Sequence, residues 1–472
     1  MRKKLYRILF CVVMTIAVSF TGIYNPMEGK NLLDRTVTIN LWYTDEALTD
    51  YLNSAALYYH EESGVRVVPQ LVSGLEYLEN VNAESIAGED IPDLFVVSND
   101  ALGKAYLAGL ALPVAETADF EGDKYPQAAV DAVTYQDKKV AYPLYYETSV
   151  LLCNETYLEQ MAQSAIQAEA DAAEGEEAMN AVEQAASDEE LERLAALAAE
   201  QTAEDEKLAQ EDIESRKASM VPATMEEMLN FADEYDAPEN VESILKWDVS
   251  DIFYNYFFVG SAISVGGDAG DDKGKIDIYN DNAITALTLY QQLNQFFSID
   301  AEEVTYDSVL EEFMAGKTVF TIATTDAIGK IDAAKEAGNF NYEYAVAALP
   351  AINDSLPTRS MSVTYGLAVN GYGTHTKEAN DFATYLAEGE DELFYQRTGK
   401  IPARGDIVYS NANVAATMTE YAQSVPVPKM LETGNFWVNL EIAFTNIWNG
   451  QDVDTVLKEL SDQTMLQVEA TQ

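Results

Sequence analysis

The sequence predicts an α/β protein built on parallel, doubly wound sheet. Three observations carry that prediction. Strand and helix patterns alternate from the first globular residues onward, which is the signature of parallel strands joined by crossover helices. The chain has 472 residues, enough for two to four domains. Hydrophobic residues make up 48% and aromatics 10%, ample for large cores and unlike a disordered chain.

The elements follow in order. Val37 to Trp42 alternates apolar and polar residues and reads as a strand. Leu48, Tyr51, Leu52, Ala55, Ala56 and Tyr59 recur at helical spacing. Gly64 precedes a second strand, Val65 to Val68. A helix over Leu75 to Ile86 leads to a third strand, Pro92 to Val97. A short helix from Ala101 to Leu107 stops before Gly109. Ligands of such sheets sit beyond the carboxyl ends of the strands, where Trp42 to Glu46 and Ser98 to Asp100 lie.

Gln160 to Lys217 differs in composition, being dominated by Ala, Glu, Gln and Asp, with no Pro and only Gly175 as a glycine. High helix propensity predicts one or two long helices, with a break near Gly175 or Ser187. Leu191, Leu194, Leu197 and Ala198 offer only a thin apolar stripe, so the segment reads as a solvated helical insertion. Beyond Val221-Pro222 the expected helices are Met225 to Tyr235, Asp248 to Val259, Ile284 to Phe297 and Tyr306 to Ala315. The expected strands are Thr318 to Ile322, Tyr344 to Ala347 and Met361 to Val369. Lys377 to Glu469 reads as mostly helical. Asp268, Asp271 and Asp272 invite a calcium reading, but Lys273 stands where an EF-hand loop needs glycine, so a hairpin-like loop is expected there.

Charge narrows the partners. Lys and Arg total 28 against 80 Asp and Glu, for a net charge of −52. Nothing in that balance could neutralise a row of phosphates, so nucleic acid is excluded as a main partner. An anionic membrane surface is disfavoured for the same reason. Arg2, Lys3, Lys4 and Arg7 precede an apolar run from Ile8 to Phe20, the anatomy of a secretory signal. With Thr21 to Tyr24 included, an uncleaved anchor is the alternative. If the signal is removed, Cys153 alone remains, so no internal disulfide is expected; its apolar run predicts a buried strand residue. There is no nucleophile elbow, zincin motif, P-loop or dinucleotide fingerprint. With two His and one mature Cys, a zinc site is not expected. No cofactor, metal or catalytic residue is assigned.

Short motifs in a shared order point further. They include Ile39-Asn40-Leu41-Trp42, Ser63-Gly64-Val65-Arg66-Val67, Ile91-Pro92-Asp93-Leu94-Phe95 with Asn99-Asp100, and Ala108 to Pro113. Ala141-Tyr142-Pro143-Leu144-Tyr145-Tyr146-Glu147, Pro222 to Glu227, Phe313 to Lys317, Ala415 to Met418 and Asn435-Phe436-Trp437 continue the series. In this order the chain resembles the extracytoplasmic solute-binding proteins of sugar ABC importers, close to the maltose/maltodextrin-binding type. The resemblance spans Val37 to Leu466. It implies a two-lobed, periplasmic-binding-protein-like α/β fold with hinge crossovers near Glu147, Ser362 to Tyr365, and Asn411 to Val414, and with the acidic helical segment inserted. The expected division is a signal or anchor and linker over 1–35, a first lobe of 36–146 and 366–406, and a second lobe of 148–359 and 415–472. The insertion, 160–217, lies within the second lobe. Hinge closure around a ligand would be the working motion.

The same resemblance implies the site. Glu46, Asp100 and Glu147 would accept sugar hydroxyls, while Trp42, Tyr256 and Trp437 would stack or wall the ligand. The residue types suit a pyranose, whose apolar face packs on aromatic rings and whose hydroxyls need paired acceptors when enclosed. Each has a plainer reading. Trp42 and Tyr256 read equally as core, and Asp100 as a helix N-cap. Trp448 reads as core. Asp326 stands where the family places a strongly stacking Trp, and Ala101 where it often has a basic residue. The implied function is an extracytoplasmic carbohydrate-binding importer subunit, a monomer that delivers its ligand to permease subunits in the membrane. The alternatives are a polyamine- or peptide-binding protein, which acidity would suit, and a glycosidase built on a carboxylate pair.

Overall fold

The computed structural model describes residues 36–88, 90–115, 120, 124–180, 212–389 and 392–470; the side chains of 170–180 are excluded. The expected signal, Cys11, and most of the insertion lie outside the described residues. So do its apolar stripe and the predicted break at Ser187.

One ten-stranded sheet organises the chain, with two small hairpins beside it. The strands are β1 (Thr38–Tyr43), β2 (Arg66–Leu71), β3 (Leu94–Ser98), β4 (Thr134–Tyr135), β5 (Lys138–Lys139), β6 (Tyr142–Asn154) and β7 (Ser243–Leu245). They continue as β8 (Ser264–Val265), β9 (Ile276–Asp277), β10 (Thr318–Thr324), β11 (Tyr344–Ala347), β12 (Met361–Val369), β13 (Ile401–Pro402) and β14 (Val425–Pro426). The order across the sheet is β2-β1-β3-β12-β6-β10-β7, with β11 and β13 also on β6 and β14 on β12. β4–β5 and β8–β9 form the hairpins, the second enclosing the Asp268 to Lys273 loop.

β6 joins two halves. Its residues up to Thr148 pair with β12, and from Ser149 onward they pair with β10. β1 is parallel to β2 and β3, and β12 is antiparallel to both β3 and β6. β6 therefore runs in the direction of β1 and β3. β10 is antiparallel to β6 and parallel to β7. The carboxyl ends of β1 and β3 and those of β7 and β10 thus converge, from opposite sides, on the changeover at Thr148 and Ser149. This convergence is what positions the site.

Packing explains why the elements hold. The helix Thr49–Ser63 buries Leu52, Ala55, Ala56 and Tyr59 against the first half. The second half closes on an aromatic core in which Trp247 meets Trp448 at 5.7 Å and Tyr290 meets Trp448 at 4.9 Å. Burying each such ring contributes roughly 1.5–3 kcal/mol. Trp448 and Cys153 are core residues, as expected.

Some local expectations need correction. Asp248 to Val259 is not one helix: Asp251 caps a single turn, Ile252–Asn255, followed by a 3-10 turn, Tyr256–Phe258. Apolar residues on every side of that segment are buried, so one amphipathic stripe never forms. The helix after β3 starts at Asn99 with Ser98 as its N-cap, which places Asp100 in the first turn rather than at the cap. The helix Glu155–Asn180 runs through Gly175. A helix over 212–219 returns beside it, with Arg216 bridging to Glu169 at 2.7 Å. Among the described residues no helix is long and apolar enough to cross a membrane.

Gly260 ends the 3-10 turn where it meets the start of β12. A Cβ built on it would lie 2.0 Å from the Arg359 carbonyl oxygen, a backbone atom with little freedom to give way. Gly260→Ala is expected to cost about 2 kcal/mol through overpacking. Denaturant unfolding should show a lower midpoint at an unchanged slope.

Candidate ligand-binding cleft

The first face of the site is built by the exits of β1 and β3 and by the middle of β6. Every residue of β6 is buried except Glu147. A half-exposed carboxylate in such a strand needs a partner, and register supplies it. β13 pairs antiparallel with β6, Ile401 opposite Tyr146, so Lys400, one residue earlier, falls opposite Glu147. The helix Glu392–Thr398 ends just before Gly399, whose φ of 66° turns the chain into β13.

Lys400 Nζ lies 3.0 Å from Glu147 Oε1 and 2.9 Å from Asp45 Oδ2. It also stands 5.5 Å from the centre of the Tyr145 ring. Burial pulls the Lys400 ammonium down, but Glu147 and Asp45 outweigh it and hold its pKa above the ordinary lysine range. Asp45 is itself fixed by accepting from the Ala47 amide at 3.0 Å. Tyr145 stacks on Tyr365, 4.5 Å apart and 11° from parallel. Burial first, then Glu147, pushes the Tyr365 phenol up to about 12; Lys400 pulls the other way, and Asp100 and Asp45 add to the rise. Tyr365 is thus the centre around which these groups gather. Its hydroxyl has no hydrogen-bond partner among the described residues.

The second face comes from the exits of β7 and β10. Asp326 follows β10, accepts from the Tyr306 hydroxyl at 2.9 Å and from Thr324, and pairs with Lys330 at 2.9 Å. Tyr306 stacks on Tyr254, 4.9 Å apart and 10° from parallel. Burial, then Asp251, Asp326 and Asp248, raises the Tyr254 phenol. Glu441, on the helix Phe436–Trp448, is raised by burial and then by Asp251 and Asp248. Ser149 Oγ donates to the Phe253 carbonyl at 2.9 Å, tying this face to the changeover in β6.

The sequence-derived candidates divide. Glu147 and Asp100 share the Tyr365 neighbourhood. Glu46 is exposed on the 3-10 turn, and its neighbour Asp45 takes the position against Lys400. Trp42 is only 6% exposed; its indole donates to Gln70 and its ring packs with Phe95 and Leu102, so it presents no free face. Tyr256 is 1% exposed and backs Trp437 at 5.5 Å. Trp437 is half-buried. Asp45, Lys400 and Tyr365 escaped the sequence reading.

A cavity of about 610 Å³ lies elsewhere, lined by Asp131, Tyr256, Gly260, Arg359 and Ser424. Side chains alternate along β6. Tyr146, between Tyr145 and Glu147, faces the opposite side and stacks on Tyr421 of the helix Ala412–Gln423. That helix leads directly into Ser424, so the cavity sits behind the changeover, away from Glu147.

The sequence profile described as bacterial extracellular solute-binding protein matches residues 43–391. No curated protein sequence matches the chain. Among solved structures, the extracellular solute-binding protein from Staphylococcus aureus in complex with maltose is 18% identical. Its TM-score is 0.68, covering 93% of this chain and 99% of that one. A cyclo/maltodextrin-binding protein complexed with maltotetraose is 19% identical at a TM-score of 0.70, covering 94% of this chain and 100% of that one. A Thermus thermophilus maltotriose-binding protein bound with maltotriose is 18% identical at a TM-score of 0.60, covering 92% and 100%. At these identities the likeness is one of fold: two-lobed, mixed α/β.

Proposed function

Because this chain belongs to the bacterial extracellular solute-binding proteins, we propose that it is the carbohydrate-binding subunit of an ABC importer, capturing a sugar between its lobes by hinge closure. The observation that carries the reading is the convergence of four strand ends on the changeover in β6, with carboxylates and tyrosine stacks on both faces. The family places the protein outside the cytoplasm and is one of binding proteins. The sugar complexes of the structural neighbours favour a carbohydrate over a free peptide.

The lobes we assign are 36–146 with 366–406, and 148–359 with 415–472. Glu147, Asp45 and Asp100 accept ligand hydroxyls, Tyr365 offers its free hydroxyl, and Trp437 provides the stacking surface. Trp42 and Tyr256 serve as support behind the wall. The chain acts as a monomer that docks on permease subunits, with its N-terminal segment as signal or anchor.

The test is a thermal-shift screen of mono- and oligosaccharides, with polyamines and short peptides as controls. A ligand that binds only the folded state at about 100 times its Kd adds about 2.7 kcal/mol, a shift of a few degrees for a chain this size. A shift confined to carbohydrates is expected. Shifts with peptides alone would overturn the reading.

A further inference from the structure

The cavity behind the changeover, about 610 Å³, is of the size that holds small ligands. Both proposed lobes build it: Asp131 comes from the helix Gln127–Ala132 of the first, and Tyr256, Ser261 and Asp268 from the second. Arg359 precedes β12 and Ser424 precedes β14, strands that pair with one another and close the cavity at the crossovers.

One wall gathers hydrogen-bond donors that the chain leaves unspent. Arg359 Nε donates to the Gln423 carbonyl at 2.7 Å and Nη2 to the Ser424 carbonyl at 3.0 Å. These bonds orient the guanidinium and leave three of its five N–H groups unused, both on Nη1 among them. Among the described residues no carboxylate pairs with Arg359, although acids outnumber bases 80 to 28. A guanidinium fork held in this way matches a carboxylate. Tyr256, which is 1% exposed, lines the cavity, and its hydroxyl has no hydrogen-bond partner among the described residues. Ser261 lines it too and keeps a buried Oγ without a partner. The three residues meet around Gly260. Its amide donates to the Tyr256 carbonyl at 2.9 Å, and a Cβ on it would strike the Arg359 carbonyl. Burial raises the Tyr256 phenol and the Arg359 charge pulls it back, so hydroxyl and guanidinium stand close. Buried polar groups are ordinarily paired, and this wall is arranged for an acceptor.

The same cavity carries two acids. Asp131 Oδ1 accepts from Gln127 Nε2 at 2.8 Å, while its Oδ2 has no donor among the described residues. Lys429 donates to the Asp131 backbone carbonyl, not to the carboxylate. Asp268 is exposed. A plain anion in the Arg359 fork would face both acids, and a plain amine would face Arg359. A neutral solute would leave every charge unmatched. We propose that this cavity is a second small-molecule site, separate from the cleft, that takes a zwitterion of the amino-acid class. The carboxylate sits in the Arg359 fork beside Tyr256 and Ser261, and the ammonium meets Asp131. This site does not depend on which solute the cleft captures.

Calorimetric titration of the purified full chain tests it. The probes are the common free amino acids at a pH of about 7, where both of their groups are charged, with succinate and putrescine as controls of one sign. At least one amino acid is expected to bind, and the two controls at least about tenfold more weakly, the scale of losing one close charge pair. Arg359→Gln should weaken amino-acid binding by at least about tenfold. Ala422→Trp adds bulk at an exposed lining position and should do the same with thermal unfolding unchanged, which keeps the test decisive if the arginine variant folds poorly. Glu147→Ala should weaken capture in the cleft and leave the amino acid bound as before. Amino-acid binding lost in Glu147→Ala but kept in Ala422→Trp would place that ligand in the cleft and overturn the inference. Succinate or putrescine binding as tightly as any amino acid would overturn the zwitterion. Silence from every amino acid would overturn the site and leave the carbohydrate reading standing.

Discussion

Glu147→Ala is expected to raise the Kd for the captured solute about a hundredfold, equivalent to about 2.7 kcal/mol. The loss is that of an enclosed ligand hydroxyl left without its charged acceptor, worth about 1.5–3 kcal/mol, while the charge that Glu147 leaves behind stays within the protein. Here the remaining charge is Lys400, whose side chain is 19% exposed and would retain Asp45 alone. The ligand would lose an acceptor on the one incompletely buried position of β6 and meet a lysine now less neutralised. Fold stability should change by less than about 1 kcal/mol, since the pair is only partly buried and Asp45 stays in place. Titration of the sugar found by screening, with thermal unfolding as a check, reads both effects. Glu46→Ala, one residue from Asp45 but exposed and away from Lys400, should bind as the unaltered protein does. Equal binding by Glu147→Ala would remove Glu147 from the site.

That contrast shows where the sequence was informative. Strand and helix alternation comes from local periodicity, and β1, β2, β3, β10, β11 and β12 emerge within a few residues of their predicted spans. Glu147 was legible as a candidate because a carboxylate inside an apolar run is locally anomalous, and it is the one residue of β6 left incompletely buried. Lys400 was not, because its place depends on β13 pairing with β6, a contact 253 residues away in sequence. Asp45 and Glu46 are chemically alike neighbours at a strand exit, and only the turn geometry decides which meets Lys400. Tyr256 sits among buried aromatics that helical spacing alone could not orient, since that segment breaks into two short turns. The acidic second face was visible as residues but not as a face. Asp248 and Asp326 come to one side because β7 and β10 pair in parallel, and the helix Phe436–Trp448 sets Glu441 beside Asp248, over nearly two hundred residues of chain.

Stability against pH should pass through a minimum near pH 7 to 8, set by two buried groups outside the cleft. Glu420, 9% exposed on the helix Ala412–Gln423, is raised by burial from 4.5 to about 7, despite accepting from the Leu349 amide at 3.1 Å. Between those values the folded protein holds a proton that the unfolded chain has released. The unfolding free energy therefore falls as pH rises from about 4.5 to 7, by about 3 kcal/mol. Lys429 is 1% exposed, and its ammonium donates to the Asp131 carbonyl at 2.8 Å. Burial lowers it from 10.5 to about 8, although Asp271 and Asp131 push it up. Between about 8 and 10.5 the unfolded chain holds the extra proton, so the unfolding free energy rises again by about 3 kcal/mol. Net charge repulsion also grows across the acid limb, so the decisive reading is a difference between variants. Glu420→Gln keeps an acceptor for Leu349 and should flatten the acid limb, gaining up to about 3 kcal/mol above pH 7. Lys429→Met should flatten the alkaline limb while losing the Asp131 bond. Denaturation curves of Glu420→Gln that stay parallel to those of the unaltered protein from pH 4 to 8 would show that Glu420 titrates normally in the folded state.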